Sequence, residues 1–208
     1  MELLLIRHGL PIRLEKADGT PADPPLSEIG HDQAKRVADF LADVEIHGIY
    51  ASPMQRARET AAPLAATLGV PVEVEPGVAE YDAESDLYIP MEELKATDYE
   101  RWRALVSGGY APELDFLAFH RTVVDAVERI IAANVGRRVA VFCHGGVINA
   151  WATHVLKMPP QLFIDATYTS VNRFMAASSG ERSVVSLNES SHLRGMPALG
   201  NALRRRTG

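Results

Sequence analysis

The sequence predicts an α/β protein: a three-layer α/β/α sandwich around a mostly parallel sheet, with a partly helical cap segment inserted at about residues 83–112. Three observations predict it. Short apolar runs alternate with longer stretches of helical period, the pattern of a sheet covered by helices on both faces. The turns between them carry Gly, Ser or Pro, which end strands and start helices. The 208 residues are 47% hydrophobic, enough for one substantial core, and they show no internal repeat and no domain linker.

The first strand is the buried run Leu3 to Ile6, followed by a turn at Gly9. Residues 10–26 form a loop rich in proline and charge. Ser27 is a good N-cap, and Ala34, Val37, Ala38 and Leu41 recur behind it at helical spacing. A short strand at Ile49 to Ala51 comes next. Ser52-Pro53 then pairs a capping residue with proline at the first helical position, and Gly69 closes that helix. Val72 to Val74 alternates as a short strand does. Residues 83–112 mix Leu87, Tyr88, Ile89, Trp102 and Tyr110 with charges and a Gly108-Gly109 pair, and read as the insertion. A long helix covers about 114–134, with Phe116, Val123, Val127 and Ile130 on one stripe. Arg138 to Cys143 is an apolar strand, and His144-Gly145-Gly146 turns the chain into another short helix. Two β-rich runs, Val171 to Ala177 and Ser183 to Leu187, finish the sheet. The tail from Gly195, ending in Arg204-Arg205-Arg206, is expected to fray into solvent rather than grip nucleic acid.

Charge and cysteine content exclude several classes. With 21 basic and 27 acidic residues the formal charge is -6, so the surface does not attract polyanions in general and an anion site must be local. The one cysteine, Cys143, rules out an intramolecular disulfide and a cysteine-ligated zinc site. The apolar run at the start is too short for a signal segment or a membrane span, so the protein is read as soluble and cytoplasmic. His31, His47, His120 and His154 have no metal-binding spacing, and no H-E-x-x-H is present.

Three features fall at the ends of strands. His8 follows the first strand, His144 follows the strand at 138–143, and Arg56 lies one turn into the helix after the strand at 49–51. Ligands of open α/β sheets bind outside the carboxyl ends of the strands, and helix side chains lean back toward the helix N-terminus. Arg7, Arg56, His8 and His144 would therefore meet in one crevice, beside the N–H groups of the helix that starts at Gly145-Gly146. Guanidinium forks and a helix dipole make a site for a dianion. Cys143, adjacent to His144 on a strand, points to the opposite face and is read as core rather than as a nucleophile.

Leu5-Ile6-Arg7-His8-Gly9 resembles the signature of the histidine phosphatase (phosphoglycerate-mutase-like) superfamily. Ser52-Pro53-Met54-Gln55-Arg56-Ala57 is similar to its second motif and Cys143-His144-Gly145-Gly146 to its third. Leu26-Ser27-Glu28-Ile29-Gly30, with Gln33-Ala34, looks like the helix after the first loop, and Asn188 with His192-Leu193 looks like the end of the domain. The resemblance covers roughly residues 1–193 as one domain, which leaves 194–208 as a flexible tail. It implies a phosphoric monoester hydrolase of the histidine acid type. His8 attacks phosphorus and forms a phosphohistidine. Arg7, Arg56, His144 and Gly145 hold the phosphoryl oxygens. An acid protonates the leaving oxygen. Glu80 fits that acid best, with Asp82 behind it. The expected partner is a small-molecule phosphate ester, without cofactor, metal, nucleic acid or membrane; a homodimer is left open.

Two departures from the family pattern matter. Leu10-Pro11-Ile12-Arg13 stands where mutases carry Ser or Thr, Trp and Asn, so Arg13 is taken as a substitute phosphate ligand. The acidic motif also differs from that of the mutases. Both departures favour the broad-specificity phosphatase branch over a phosphoglycerate-type mutase. A third reading, a catalytically dead sensor of a phosphate ligand, would be expected to have lost His8 or the acid.

Overall fold

The computed structural model describes residues 1–108 and 115–196. Its centre is a six-stranded sheet. The strands are β1 (Glu2–Arg7), β3 (Gly48–Ala51), β4 (Val72–Val74), β6 (Arg138–Cys143), β7 (Val171–Ala176) and β8 (Arg182–Glu189), in the order β4-β3-β6-β1-β7-β8. The first four in that order run parallel, and β7 and β8 close one side as an antiparallel pair. The observed architecture is the mostly parallel sandwich the sequence predicts.

Strand alternation divides the core in two. Leu3, Leu5, Val139, Val141 and Cys143 point to one face, where α5 (Phe116–Ala133) and α6 (Gly145–Val155) cover them with Val123, Val127, Ile130 and Trp151. Leu4, Ile6, Ala140 and Phe142 point to the other, against Val37 and Leu41 of α1 (Glu28–Leu41) and Ala61 and Leu64 of α2 (Gln55–Leu68). Both faces of β1 are sealed, which is why it reads as an unbroken apolar run. Cys143 is core, and burial pushes its thiol well up, so no thiolate is available there.

Ser27 caps α1 as expected, its side chain accepting from the Gly30 amide. Ser52 does not cap α2. That helix starts two residues later, after Met54, and its first amide, Gln55 N–H, is received instead by Asp23 at 2.8 Å, from the loop rich in proline and charge. The same loop contains β2 (Leu14–Glu15), which pairs antiparallel with β5 (Leu87–Tyr88) and so ties residues 10–26 to the insertion. The insertion itself continues as α3 (Met91–Thr97) and α4 (Tyr99–Gly108). Residues 109–114 and the tail from 197 onward, including the arginine run, lie outside the described residues. Among the described residues no helix is long and apolar enough to cross a membrane.

Candidate active site

The carboxyl ends of β1, β3 and β6 open onto a cavity of about 530 Å³, walled on its far side by the insertion. Arg7, His8, Arg56, Glu80, Asp82, Gly145 and Gly146 line it, with Tyr88, Met91, Glu92, Lys95 and Trp102 opposite. The expectation that strand ends would gather the two arginines and His8 is met. His144 is fully buried beside His8, ring centroids 5.1 Å apart, and does not itself form part of the wall.

The loop after β1 is held with little freedom. Gly9 N–H donates to Thr60 Oγ1 at 2.9 Å, and Leu10 N–H to Gln33 Oε1 at 2.8 Å. Ser27 Oγ donates to the Leu10 carbonyl. A Cβ on Gly30 would sit 2.1 Å from the Leu10 carbonyl oxygen, so only glycine lets α1 approach this closely. The segment Leu26 to Ala34 thus works as a bracket for the His8 loop.

Within that bracket the His8 ring has one orientation. Nδ1 lies 2.7 Å from the Gly9 carbonyl, which can only accept, so Nδ1 carries the proton and Nε2 keeps its lone pair. Burial, and then the charges of Arg56 and Arg7, hold its pKa well below the ordinary value, and the ring is neutral. His144 is neutral for the same reasons. Its Nε2 is 2.8 Å from Ser52 Oγ. With the Ser52 hydroxyl donating, the His144 proton sits on Nδ1, a buried atom with no partner among the described residues.

Arg56 is fully buried, yet only one of its nitrogens is paired: Nη2 donates to Asp82 Oδ1 at 3.2 Å, while Nε and Nη1 have no partner among the described residues. Arg7 donates through Nη1 to the Ala166 carbonyl, and its Nε is likewise buried and unpaired. Buried guanidinium N–H groups without acceptors are costly unless a ligand supplies them.

Glu80 and Asp82 are separated in role by their contacts. Asp82 is committed to Arg56. Glu80 accepts from the Gly146 N–H at 2.9 Å, at the start of α6, and from the Tyr81 N–H at 3.1 Å. Burial, and then the nearby Asp82 charge, raise the Glu80 carboxyl to about 7. Gly146 is needed for this: a Cβ there would come within 2.2 Å of Glu80 Oε1.

Arg13 is placed away from the position expected of a phosphate ligand. It does not line the cavity. Its guanidinium is half-exposed and pairs with Glu93 at 3.3 Å and Glu15 at 3.8 Å, because β2 carries it toward α3 rather than toward the strand ends. Four residues near the site escaped sequence reading. Tyr168 lies under Arg7, its ring centroid 3.9 Å from the guanidinium carbon, and Tyr88 lies 4.7 Å from that of Arg56. Ser52 binds His144, and Asn149 receives the amides of Phe163 and Ile164 at 2.8 Å each. Only Ser52, inside a recognised motif, carried a usable signal.

The profile of the histidine phosphatase superfamily (branch 1) matches residues 3–190, and the chain belongs to that superfamily. An uncharacterized protein of Mycobacterium tuberculosis is 53% identical over 55 residues, which spans 26% of this chain and about a quarter, 27%, of that relative's length. A metal-independent phosphoserine phosphatase of Arabidopsis thaliana is 30% identical over 160 residues, covering 72% of this chain and 66% of its own. The fold is shared with a mutant phosphoserine phosphatase from Entamoeba histolytica solved with phosphoserine. That likeness has a TM-score of 0.72 at 22% identity, over 92% of this chain and 98% of the other.

Proposed function

We propose that this protein hydrolyses small organic phosphomonoesters without a metal, through a phosphohistidine on Nε2 of His8. The observation that carries the reading is the set of unpaired, buried N–H groups on Arg7 and Arg56 around a neutral histidine whose free lone pair is fixed by the Gly9 carbonyl. The Nε2 lone pair attacks phosphorus as the ester P–O bond breaks, and the Glu80 carboxyl gives its proton to the departing oxygen. Arg7 and Arg56 take up the negative charge spread over the phosphoryl oxygens, with His144 packed behind the His8 ring. Water then attacks the phosphohistidine and Glu80 takes its proton. The P–N bond breaks, its electron pair returns to Nε2, and phosphate leaves.

The guanidinium pair supplies the charge that a cation supplies in other phosphatases, which supports metal independence, as does the name of the Arabidopsis relative. An acid-range optimum follows from the two titrations: His8 stays neutral well below pH 6.5, and Glu80 keeps its proton up to about 7. The mutase reading is the weaker one, because Leu10-Pro11-Ile12-Arg13 lacks the Ser or Thr, Trp and Asn that mutases carry there. The test uses purified protein, EDTA and a panel that includes 4-nitrophenyl phosphate, phosphoserine and 3-phosphoglycerate. Phosphate release should survive the chelator, and acid-labile label should be recovered on His8 after rapid quenching. Activity restored only by added magnesium, or phosphoglycerate interconversion outrunning phosphate release, would overturn it.

A further inference from the structure

The segment from Ala166 to Ser170, the end of the connection between α6 and β7, has no regular period of its own, yet it holds Arg7 at several points. The Arg7 N–H donates to the Ser170 carbonyl at 3.2 Å, and the Arg7 carbonyl accepts from Thr169 N–H at 3.0 Å. The guanidinium donates to the Ala166 carbonyl and lies against the face of Tyr168. The Tyr168 ring also packs 5.6 Å from the His8 ring, so one aromatic side chain touches both the phosphate-binding arginine and the nucleophile.

The backbone of this segment is held in an unfavourable conformation. Thr169, a β-branched residue, has φ 60, in the left-handed region that such side chains avoid. That conformation aims its N–H at the Arg7 carbonyl and, at 3.3 Å, at the His8 carbonyl as well. The surroundings keep it there. Thr169 Oγ1 donates to the Tyr168 carbonyl at 2.7 Å and lies 3.1 Å from His192 Nε2. With the single hydroxyl proton already given, His192 is the donor. The His192 ring stacks on Phe40 of α1, 5.2 Å away. Asn188 Oδ1 receives the Thr167 N–H at 2.8 Å, and the Asn188 amide donates to the Asp165 carbonyl. The end of the domain thus fixes the turn, and the turn fixes the Tyr168 ring.

We infer that Tyr168 is a positioning residue for Arg7. Its ring face sets the plane of the guanidinium so that the buried Nε–H stays available to a phosphoryl oxygen. An aromatic face attracts a cation electrostatically, and in a desolvated site the attraction is strong enough to hold one side-chain orientation. The inference rests on Arg7 being a phosphate ligand, as proposed above, but not on which ester is hydrolysed.

The face of the ring is what acts, so Tyr168→Phe should bind orthovanadate and turn over 4-nitrophenyl phosphate within about twofold of the parent. Tyr168→Leu keeps an apolar filling and loses the face. It should lose about 10- to 30-fold in kcat/KM and a similar factor in vanadate affinity, the range expected for a desolvated cation–π contact. On an Arg7→Lys background the same change should cost much less, which a general packing defect would not show. If Tyr168→Leu fails to fold, pentafluorophenylalanine at 168 keeps the shape and reverses the charge of the face, and should show the same loss. Parental vanadate affinity in a folded Leu or pentafluoro variant, or equal losses on both backgrounds, overturns the inference. Vanadate binding is read independently of hydrolysis. A parent protein that binds vanadate but hydrolyses nothing therefore rejects the proposed function and still tests Tyr168.

Discussion

The two walls of the cavity are built by different means. On the sheet side, His8 and Arg56 are almost wholly buried, His144 is buried behind His8, and each is fixed by a hydrogen bond to a neighbouring residue. On the insertion side, the wall comes from a two-residue strand, two short helices and side chains such as Met91, Glu92 and Lys95 that are half-buried or exposed. The sheet wall is preorganised for one chemical group, while the insertion wall has few restraints of its own. Changes to the sheet wall should therefore affect every substrate alike, and changes to the insertion should act weakly.

The largest effect belongs to His8. His8→Ala removes the only proposed nucleophile from a set of residues that acts as a unit, so turnover should fall on the order of a thousandfold or more for all esters. The fold should persist, because the ring fills a site opening on the cavity rather than the core. Circular dichroism and a melting curve check the second statement, and steady-state rates check the first. A variant with a tenth of the parental rate would remove the covalent route.

Glu80 comes next. Glu80→Gln keeps the shape but loses the proton for the leaving oxygen, and its single amide oxygen can receive only one of the Gly146 and Tyr81 N–H groups, which reach different carboxylate oxygens. Alkyl phosphates should lose ~100- to 10,000-fold in the first chemical step, as general acids typically contribute. Nitrophenyl phosphate, whose leaving group needs no proton, should lose far less when the burst phase is measured. The sign of the pH dependence follows from the same group. The protonated form acts first, so kcat/KM for an alkyl phosphate falls as pH rises through about 7, and Glu80→Gln abolishes that limb. The same fold-loss for both esters in the variant, or no loss for either, would move the acid elsewhere.

The placement of four residues was legible because it is tied to local sequence. His8 and His144 stand directly after apolar strands, Arg56 one turn into a helix, and Glu80 in the acidic stretch after β4. The misreadings have a common physical origin. Ser52-Pro53 has the composition of a helix start, but its hydroxyl is drawn to His144, a partner 92 residues away, and Asp23 caps the helix instead. Tyr168 gave no signal because the segment around it has neither period. Its order comes from the amide side chains of Asn149 and Asn188 and from the strained Thr169, all tertiary contacts. β2 is two residues long and exists only because β5 lies beside it.

Arg13 shows the limit of reading by substitution, and its replacement is the smallest effect expected. The sequence suggests it as a phosphate ligand only because a ligand of the family is missing nearby and a cation stands close along the chain. Proximity along the chain does not fix direction, and β2 turns this side chain toward Glu93 on α3, with Glu15 as a second partner. Both pairs are at the surface, where the Arg13 side chain is 47% exposed, so water and salt screen them. An exposed pair of this kind is worth about 0–1 kcal/mol. Arg13→Ala should accordingly leave kcat/KM on 4-nitrophenyl phosphate and the affinity for vanadate within about twofold. It should lower the melting temperature by no more than a few degrees, and that shift should shrink as salt is added. The alternative has a distinct signature. If Arg13 swings over the cavity when phosphate is bound, Arg13→Ala would weaken vanadate at least tenfold while leaving the unliganded melting temperature unchanged. In that case the loop of residues 10–26 would belong to the phosphate site after all.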